Sequence, residues 1–324
     1  MKSFNTITVF IIVILVSIFA CKKEETELVT STPTINSLIN TTDQFFEDNL
    51  AGAIQSHTVD VSGWTSIPGN KGTLIWLNYG SFVDEDGNAV NGFIDIELIE
   101  ALDNKDMLML NRPTVTNNGE LLISGGIIYI SATQNGNQLQ IGDPLQTDMP
   151  DVMGGNTSSP LSIWNGDTTT NGDFVWVEDT TNNTLTLLPN QGGYSFEMDT
   201  IGWTNLDVLA DLGQGVTNNV SVVLPSSFNG ANSAVMMYFT SLNSFMSISD
   251  GNLDGTFTPD AYYTIPIGAT PKFVVISMVN NNWSYYVSAP QPITDLTNFT
   301  VPALIPATDE QDMQTAILDT LDKI

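Results

Sequence analysis

From Val59 onward the chain alternates apolar and polar residues in short runs with a period of two. Thr73 to Tyr79 and Phe93 to Ile99 show it best: Phe93, Asp95, Glu97 and Ile99 share one face, and Ile94, Ile96 and Leu98 the other. That pattern predicts strands buried on one side. Further strands are expected at 107–110, 120–123, 127–133 and 138–141, punctuated by Asn117-Asn118-Gly119, Gly125-Gly126 and Asn135-Gly136. Asp84-Glu85-Asp86-Gly87-Asn88 reads as a turn, with Asp86-Gly87 as the hairpin signal. No helical period intervenes, which favours an antiparallel sandwich over a parallel sheet.

Residues 143–172 interrupt the alternation with Pro144, Pro150, Gly154-Gly155, Pro160 and Asp167-Thr168-Thr169-Thr170, and read as a linker or a long excursion. A second β series follows at 174–178, 184–188, 194–198, 220–224, 234–240, 245–249, 261–265, 273–278 and 283–287. Two stretches carry a helical period instead. Asp43 to Ile54 brings Phe45, Phe46 and Leu50 to one face; Thr308, with Gln311 at the reciprocal capping position, opens a helix striped by Met313, Ile317, Leu321 and Ile324. The expected fold is all-β, with two antiparallel, Ig-like β-sandwich domains at 43–142 and 173–324, a linker at 143–172 and a short C-terminal helix.

The first 25 residues follow other rules. Lys2 precedes an apolar run from Ile7 to Phe19, broken only by Thr8 and Ser17 and closed by Ala20-Cys21. Residues 1–20 therefore read as a secretory signal peptide, too short and one-sided for a spanning helix. Ile18-Phe19-Ala20-Cys21 resembles a bacterial lipobox, whose cysteine is lipidated and becomes the new N-terminus. Cys21 is the sole cysteine, which favours a special chemical role over a buried thiol. Lys22-Lys23-Glu24-Glu25 resembles the lysine-then-acidic signal that sends Bacteroidota lipoproteins to the cell surface; the alternative is a solvated tether beside the membrane. Residues 21–42, rich in Thr, Ser and Asn, form the expected flexible tether. Several acyl chains on Cys21 would make the membrane a permanent partner, at the outer membrane and on the cell surface.

Charge narrows the remaining partners. The formal net charge is −28, and between Glu27 and Leu321 the cations are Lys71, Lys105, Arg112 and Lys272. Such a surface repels phosphate backbones, so no nucleic-acid partner is expected, and few groups remain to grip a nucleotide. With 42% apolar residues there is material for a large core, which must hold without an intrachain disulfide.

Candidate chemistry is sparse, and a non-enzymatic role is expected. His57 is the single histidine; no Gly-x-Ser-x-Gly elbow accompanies it, and no His and Cys set could hold zinc. Asp250-Gly251-Asn252-Leu253-Asp254-Gly255-Thr256 matches the first half of an EF-hand loop, but its twelfth position is Ala261. Asp250, Asn252, Asp254 and Asp260 could form a weak calcium site on a hairpin, or the segment is simply a turn; the same choice applies to Asp84, Asp86 and Asn88. No other cofactor is expected. The pairs Asp95 with Glu97 and Glu197 with Asp199 either serve glycoside hydrolysis or cover a wet sheet face. Trp64, Trp76, Trp164, Trp176, Trp203 and Trp283, with Tyr262-Tyr263 and Tyr285-Tyr286, are core residues or a platform for sugar rings. Asp167-Thr168-Thr169, Asp179-Thr180-Thr181 and Asp199-Thr200-Ile201 resemble the sequons at which Bacteroidota attach O-glycans.

Phe82 to Gly92, Met107 to Leu110 with Arg112-Pro113-Thr114, Gly119 to Gly126, Ile130 to Gly136, and Gly202 to Asp207 resemble modules of uncharacterised Bacteroidota surface lipoproteins, over roughly residues 60 to 290. The resemblance implies a compartment and a β fold, and carries no catalytic residue. It leaves a binding or structural accessory with a protein or glycan partner as the expected role, and a glycan-binding protein or a carboxylate hydrolase of a polysaccharide-uptake system as the alternative.

Overall fold

The computed structural model describes residues 42–152, 161–170, 172–181, 185–188, 192–248 and 250–323. They belong to one compact unit that extends from Asn40 to Ile324. The chain enters through helix α1 (Thr42–Gly52), then runs through strands β1 (Gln55–Asp60), β2 (Thr65–Pro68), β3 (Leu74–Leu77) and β4 (Phe93–Ala101) to a short helix, α2 (Asn104–Met109). Seven more strands complete the first sandwich: β5 (Leu122–Gln134), β6 (Leu145–Pro150), β7 (Ser162–Thr168), β8 (Phe174–Glu178), β9 (Leu185–Leu188), β10 (Gly193–Met198) and β11 (Gly202–Leu209). One sheet has the order β1-β4-β5-β11-β7-β8, and the other the order β9-β10-β6-β3-β2. Between them pack Ile94, Ile96 and Leu98 of β4, Ile128 and Ile130 of β5, and Ile67, Ile75, Met149 and Phe196 from the second sheet.

The second sandwich is built from β12 (Val220–Val223), β13 (Ser233–Phe239), β14 (Ser244–Ile248), β15 (Thr256–Thr258), β16 (Lys272–Val279), β17 (Asn282–Val287) and β18 (Thr297–Thr300), and α3 (Glu310–Leu321) closes the chain. Its sheets run β14-β13-β16-β17 and β15-β12-β18, and the pair β12 with β18 is parallel. Val222, Val235, Met237, Phe239, Phe257, Phe273 and Val275 fill its interior.

A third core joins the two. Ile99, Ala101, Leu122, Ile127, Trp164 and Trp176 of the first sandwich pack with Met236, Tyr238, Phe245, Val274, Ile276 and Trp283 of the second. Phe45 of α1, Met107 and Leu108 of α2, and Met313 and Ile317 of α3 lie in the same cluster. Strands bordering this layer are covered on both faces, so β16 reads as a near-continuous apolar run rather than an alternating one. Burying each large side chain here contributes about 1.5–3 kcal/mol, enough to bind the sandwiches into one body. Gly119 marks the close approach: its φ is +83°, and a Cβ there would stand 2.2 Å from Tyr262 O.

Several expectations change. Among the described residues of 143–172, Leu145–Pro150 and Ser162–Thr168 are sheet strands rather than linker, because β6 pairs with β10 and β3, and β7 with β11 and β8. Strands from 174 to 209 also belong to the first sandwich, so the expected boundaries at 142 and 173 give way to one after Leu209. Residues 107–110 are helical and C-terminal cap rather than strand, since Asp103 accepts hydrogen bonds from Lys105 N and Asp106 N and starts α2. The C-terminal helix keeps its stripe of Met313, Ile317 and Leu321, but Asp309 caps it, accepting from Asp312 N at 2.8 Å. Ile324 lies outside the described residues.

Candidate functional site

Cys21 and Lys22, Lys23, Glu24 and Glu25 lie outside the described residues, as does the side chain of Asp250. At the other end of that turn, Asp254 Oδ1 accepts Thr256 N at 2.9 Å and Asn252 N donates to Thr256 O at 2.9 Å. Asp260 follows β15 in the loop toward Tyr262. Asp84 Oδ1 likewise accepts Asn88 N at 2.8 Å and Asp86 N at 3.0 Å, and the bonds from Asn88 hold its carboxyl below the usual range. Among the described residues no three His, Cys, Asp or Glu side chains gather as a metal cage.

His57 alternates inward on β1, opposite Ile96, and its Nε2 is buried without a hydrogen-bond partner. Asp95 and Glu97 point outward, and Asp95 Oδ1 accepts the Thr58 hydroxyl at 2.7 Å. Of the tryptophans, Trp164, Trp176 and Trp283 are core, and Trp176 Nε1 donates to Pro113 O at 2.8 Å. Tyr285 and Tyr286 are both half-buried: Tyr285 packs on the shared core and Tyr286 on the second sandwich's interior. Thr168, Thr180 and Thr200 are exposed.

Among the described aromatics Trp64 and Phe93 are the most exposed, ahead of Tyr79, Trp76 and Tyr262. Trp64 is 79% exposed and Phe93 68% exposed. Both sit at one end of the β1–β4 pair, where Asp60 is the register partner of Phe93. Their loops are stitched together: Val61 N donates to Gly92 O at 3.0 Å and Gly92 N to Ser62 Oγ at 2.8 Å. Gln134 Nε2 adds bonds to Asn91 O at 2.8 Å and Phe93 O at 3.1 Å. The loops that lead to the two rings are therefore tied together at their backbones, and Thr58 and Asp95 lie on the outward face of the same strand pair. Six residues of β1 span about 20 Å, which sets this edge well away from the end of α1.

A second surface feature is a cleft of about 560 Å³ beneath the helices, lined by Asp48, Lys71, Asp103, Lys105, Asp106 and Gln314 among others. Buried Glu100 builds its floor, accepting Lys71 N at 2.7 Å, Thr73 N at 2.9 Å and Gln55 Nε2 at 3.0 Å. Gly69 makes this possible, since a Cβ there would stand 2.4 Å from Glu100 Cδ. Lys71 Nζ pairs with Asp106 at 2.5 Å, and Lys105 with Asp322. Burial pushes the Asp106 carboxyl upward. The cleft's cations are thus already compensated.

Sequence reading missed the buried polar groups, because pattern alone gives no sign of them. Asp207 is fully buried at a β-bulge; Asn205 Nδ2 donates to it at 2.5 Å, and burial raises its pKa well above the usual carboxylate range. Lys272 is buried with its Nζ donating to Lys323 O at 2.6 Å, Leu321 O at 3.0 Å and Thr320 O at 3.2 Å. No family model and no curated protein sequence matches the chain.

Proposed function

We propose that this chain is a lipid-anchored surface module that binds its ligand without transforming it, and that Trp64 and Phe93 are its contact edge. The carrying observation is the exposure of these two rings on hydrogen-bonded loops. Aromatic side chains lose little conformational freedom on binding and offer broad apolar faces with polar neighbours. That chemistry suits the faces of sugar rings, with Thr58 and Asp95 as hydrogen-bonding partners nearby. The leader, Cys21 and the acidic tether supply the address, consistent with the Bacteroidota-type surface lipoproteins that the sequence resembles.

Affinity electrophoresis through a panel of polysaccharides tests the reading. Retardation by at least one polymer is expected, and it should vanish in a Trp64→Ala, Phe93→Ala double variant. Free migration of the native chain through every gel would refute it.

A further inference from the structure

The outward face of the first sandwich is covered over only part of its length. Ile99, Ala101, Ile127 and Tyr129 on that face pack into the shared core, but the same face of β1, β4 and β5 continues beyond it. The register sets its outward residues in rows across the three strands. Ser56 is opposite Glu97 and Glu97 opposite Ser131; Thr58 is opposite Asp95 and Asp95 opposite Thr133. Each row is a carboxylate between two hydroxyls, with about 4.5–5.5 Å between neighbouring Cβ atoms and about 7 Å from one row to the next. Asp60 and Phe93 form the row after these, at the end where the exposed rings stand. At the opposite end Tyr129 is the partner of Ile99, and its ring lies 5.0 Å from that of Trp203.

The two rows line a trough of about 540 Å³, with Tyr129 and Gln138 among its walls. That volume falls within the roughly 300–1,000 Å³ of small-molecule clefts. Between Tyr129 and Phe93 every outward residue of the three strands is polar, and much of this polarity is unspent. Ser131 is only 8% exposed, and its hydroxyl accepts Gln138 Nε2 at 3.4 Å without donating to an acceptor among the described residues. Asp95 accepts the Thr58 hydroxyl on Oδ1 and nothing on Oδ2. Glu97 meets neither a donor nor a cation among the described residues. Because the backbone of β4 is paired on both sides, a ligand here meets side chains alone.

We propose that this trough is the body of the site whose rim carries Trp64 and Phe93, and that it takes a run of neutral pyranose units from a polysaccharide while refusing acidic polymers. The inference rests on the glycan-binding reading and adds its ligand class. Sugar hydroxyls donate to carboxylates in charge-assisted bonds, about twice as strong as neutral ones, and serine and threonine hydroxyls both give and accept. An acidic polymer finds no cation in the trough, and the net charge of −28 opposes its approach. From Phe93 to Ile99, β4 runs about 20 Å, room for several sugar units with an aromatic ring at each end.

Affinity electrophoresis of the full chain tests this with a β-1,3-glucan, a β-1,4-glucan, xyloglucan and a β-1,4-mannan as neutral polymers, and alginate and polygalacturonate as acidic ones. At least one neutral polymer should retard the chain and still do so in about 0.5 M salt, which screens attraction between exposed charges. Both uronates should leave it free. Asp95→Ala and Glu97→Ala, at exposed positions, should each weaken the retardation at least about tenfold. Trough and rim fail separately. If both carboxylate variants bind as the native chain does while the Trp64→Ala, Phe93→Ala double variant does not, the trough is overturned and the rim stands. The reverse pattern keeps the trough and removes the rim. Retardation by the uronates alone, or by neutral polymers only at low salt, overturns the trough, and free migration through all the gels overturns both.

Discussion

Replacing Lys272 with Met removes the ammonium that closes α3 while keeping most of the side chain's volume. In the native chain the Nζ–carbonyl bonds to Thr320, Leu321 and Lys323 place a cation at a helix C-terminus, where the backbone dipole favours it. A hydrogen bond from a charged group contributes about 1.5–3 kcal/mol. Taking an ammonium out of water costs several kcal/mol, so the three bonds do not simply add. In the Met variant Thr320 O keeps Lys323 N at 3.3 Å, whereas Leu321 O and Lys323 O lose their donor. Keeping them buried would cost about 1–3 kcal/mol each, so the last turn of α3 should fray and let water reach them. Fraying exposes Leu321, which is 2% exposed in the intact fold, and forfeits about 1.5–3 kcal/mol of burial. The cheaper route sets the answer, a net loss of about 2–3 kcal/mol. For one cooperative body running from Asn40 to Ile324 that lowers Tm by roughly 3–5 °C. Thermal unfolding followed by circular dichroism reads the shift, and amide exchange at 318–321 reads the fraying. An unchanged Tm with native protection of those amides would refute the reasoning.

Other predictions use the remaining buried polar groups and the contact edge. Asp207 has its pKa raised by burial, so its contribution to stability is complete below the unfolded carboxyl pKa of about 3.9 and is lost as pH rises through the folded value. Tm should therefore fall with rising pH across that window, and Asp207→Asn should flatten the slope; an identical pH profile for the variant contradicts this. Gly69→Ala would drive a methyl into the Glu100 carboxylate and release the Lys71–Thr73 turn, lowering stability by about 1–3 kcal/mol in urea unfolding; a midpoint equal to the native one counts against the assigned role of Glu100. Trp64→Ala and Phe93→Ala, both at exposed positions, should each leave stability within about 0.5 kcal/mol while weakening retardation by polysaccharide. A large loss of stability would make these rings structural.

The sequence disclosed strands wherever one face stayed wet. Phe93 to Ile99 alternates in the structure as its residues predict, and Phe174–Glu178 has the expected bounds. Asp84-Glu85-Asp86-Gly87-Asn88 makes its turn, with Asp84 N on Asn88 O at 3.0 Å. Legibility failed where the second face is also covered. Met107 to Leu110 is apolar throughout because α2 is wedged into the shared core, and an all-apolar tetrapeptide does not distinguish helix from strand. The prolines suggested a linker, yet Pro150 ends β6 opposite Gly193, where the strand is already finishing. Gly125-Gly126 looked like a break but lies within β5, where a Cβ on Gly125 would stand 2.8 Å from Leu206 O. Of the candidate site, the tryptophan inventory was legible and the division between core and edge was not. Nothing local to Trp64 or Trp176 says which one tertiary packing will cover. Arg112 was visible as the lone arginine, but its place over the Phe174 and Trp203 rings exists only once α2 has folded beside them.

The account rests most heavily on the thiol at Cys21, and mass spectrometry of the N-terminal peptide from membrane-extracted protein addresses it directly. The predicted result is a chain beginning at residue 21 whose cysteine carries acyl chains, absent in a Cys21→Ser variant. An intact leader, or an unmodified cysteine on a soluble chain, would contradict the address and the tethered role together.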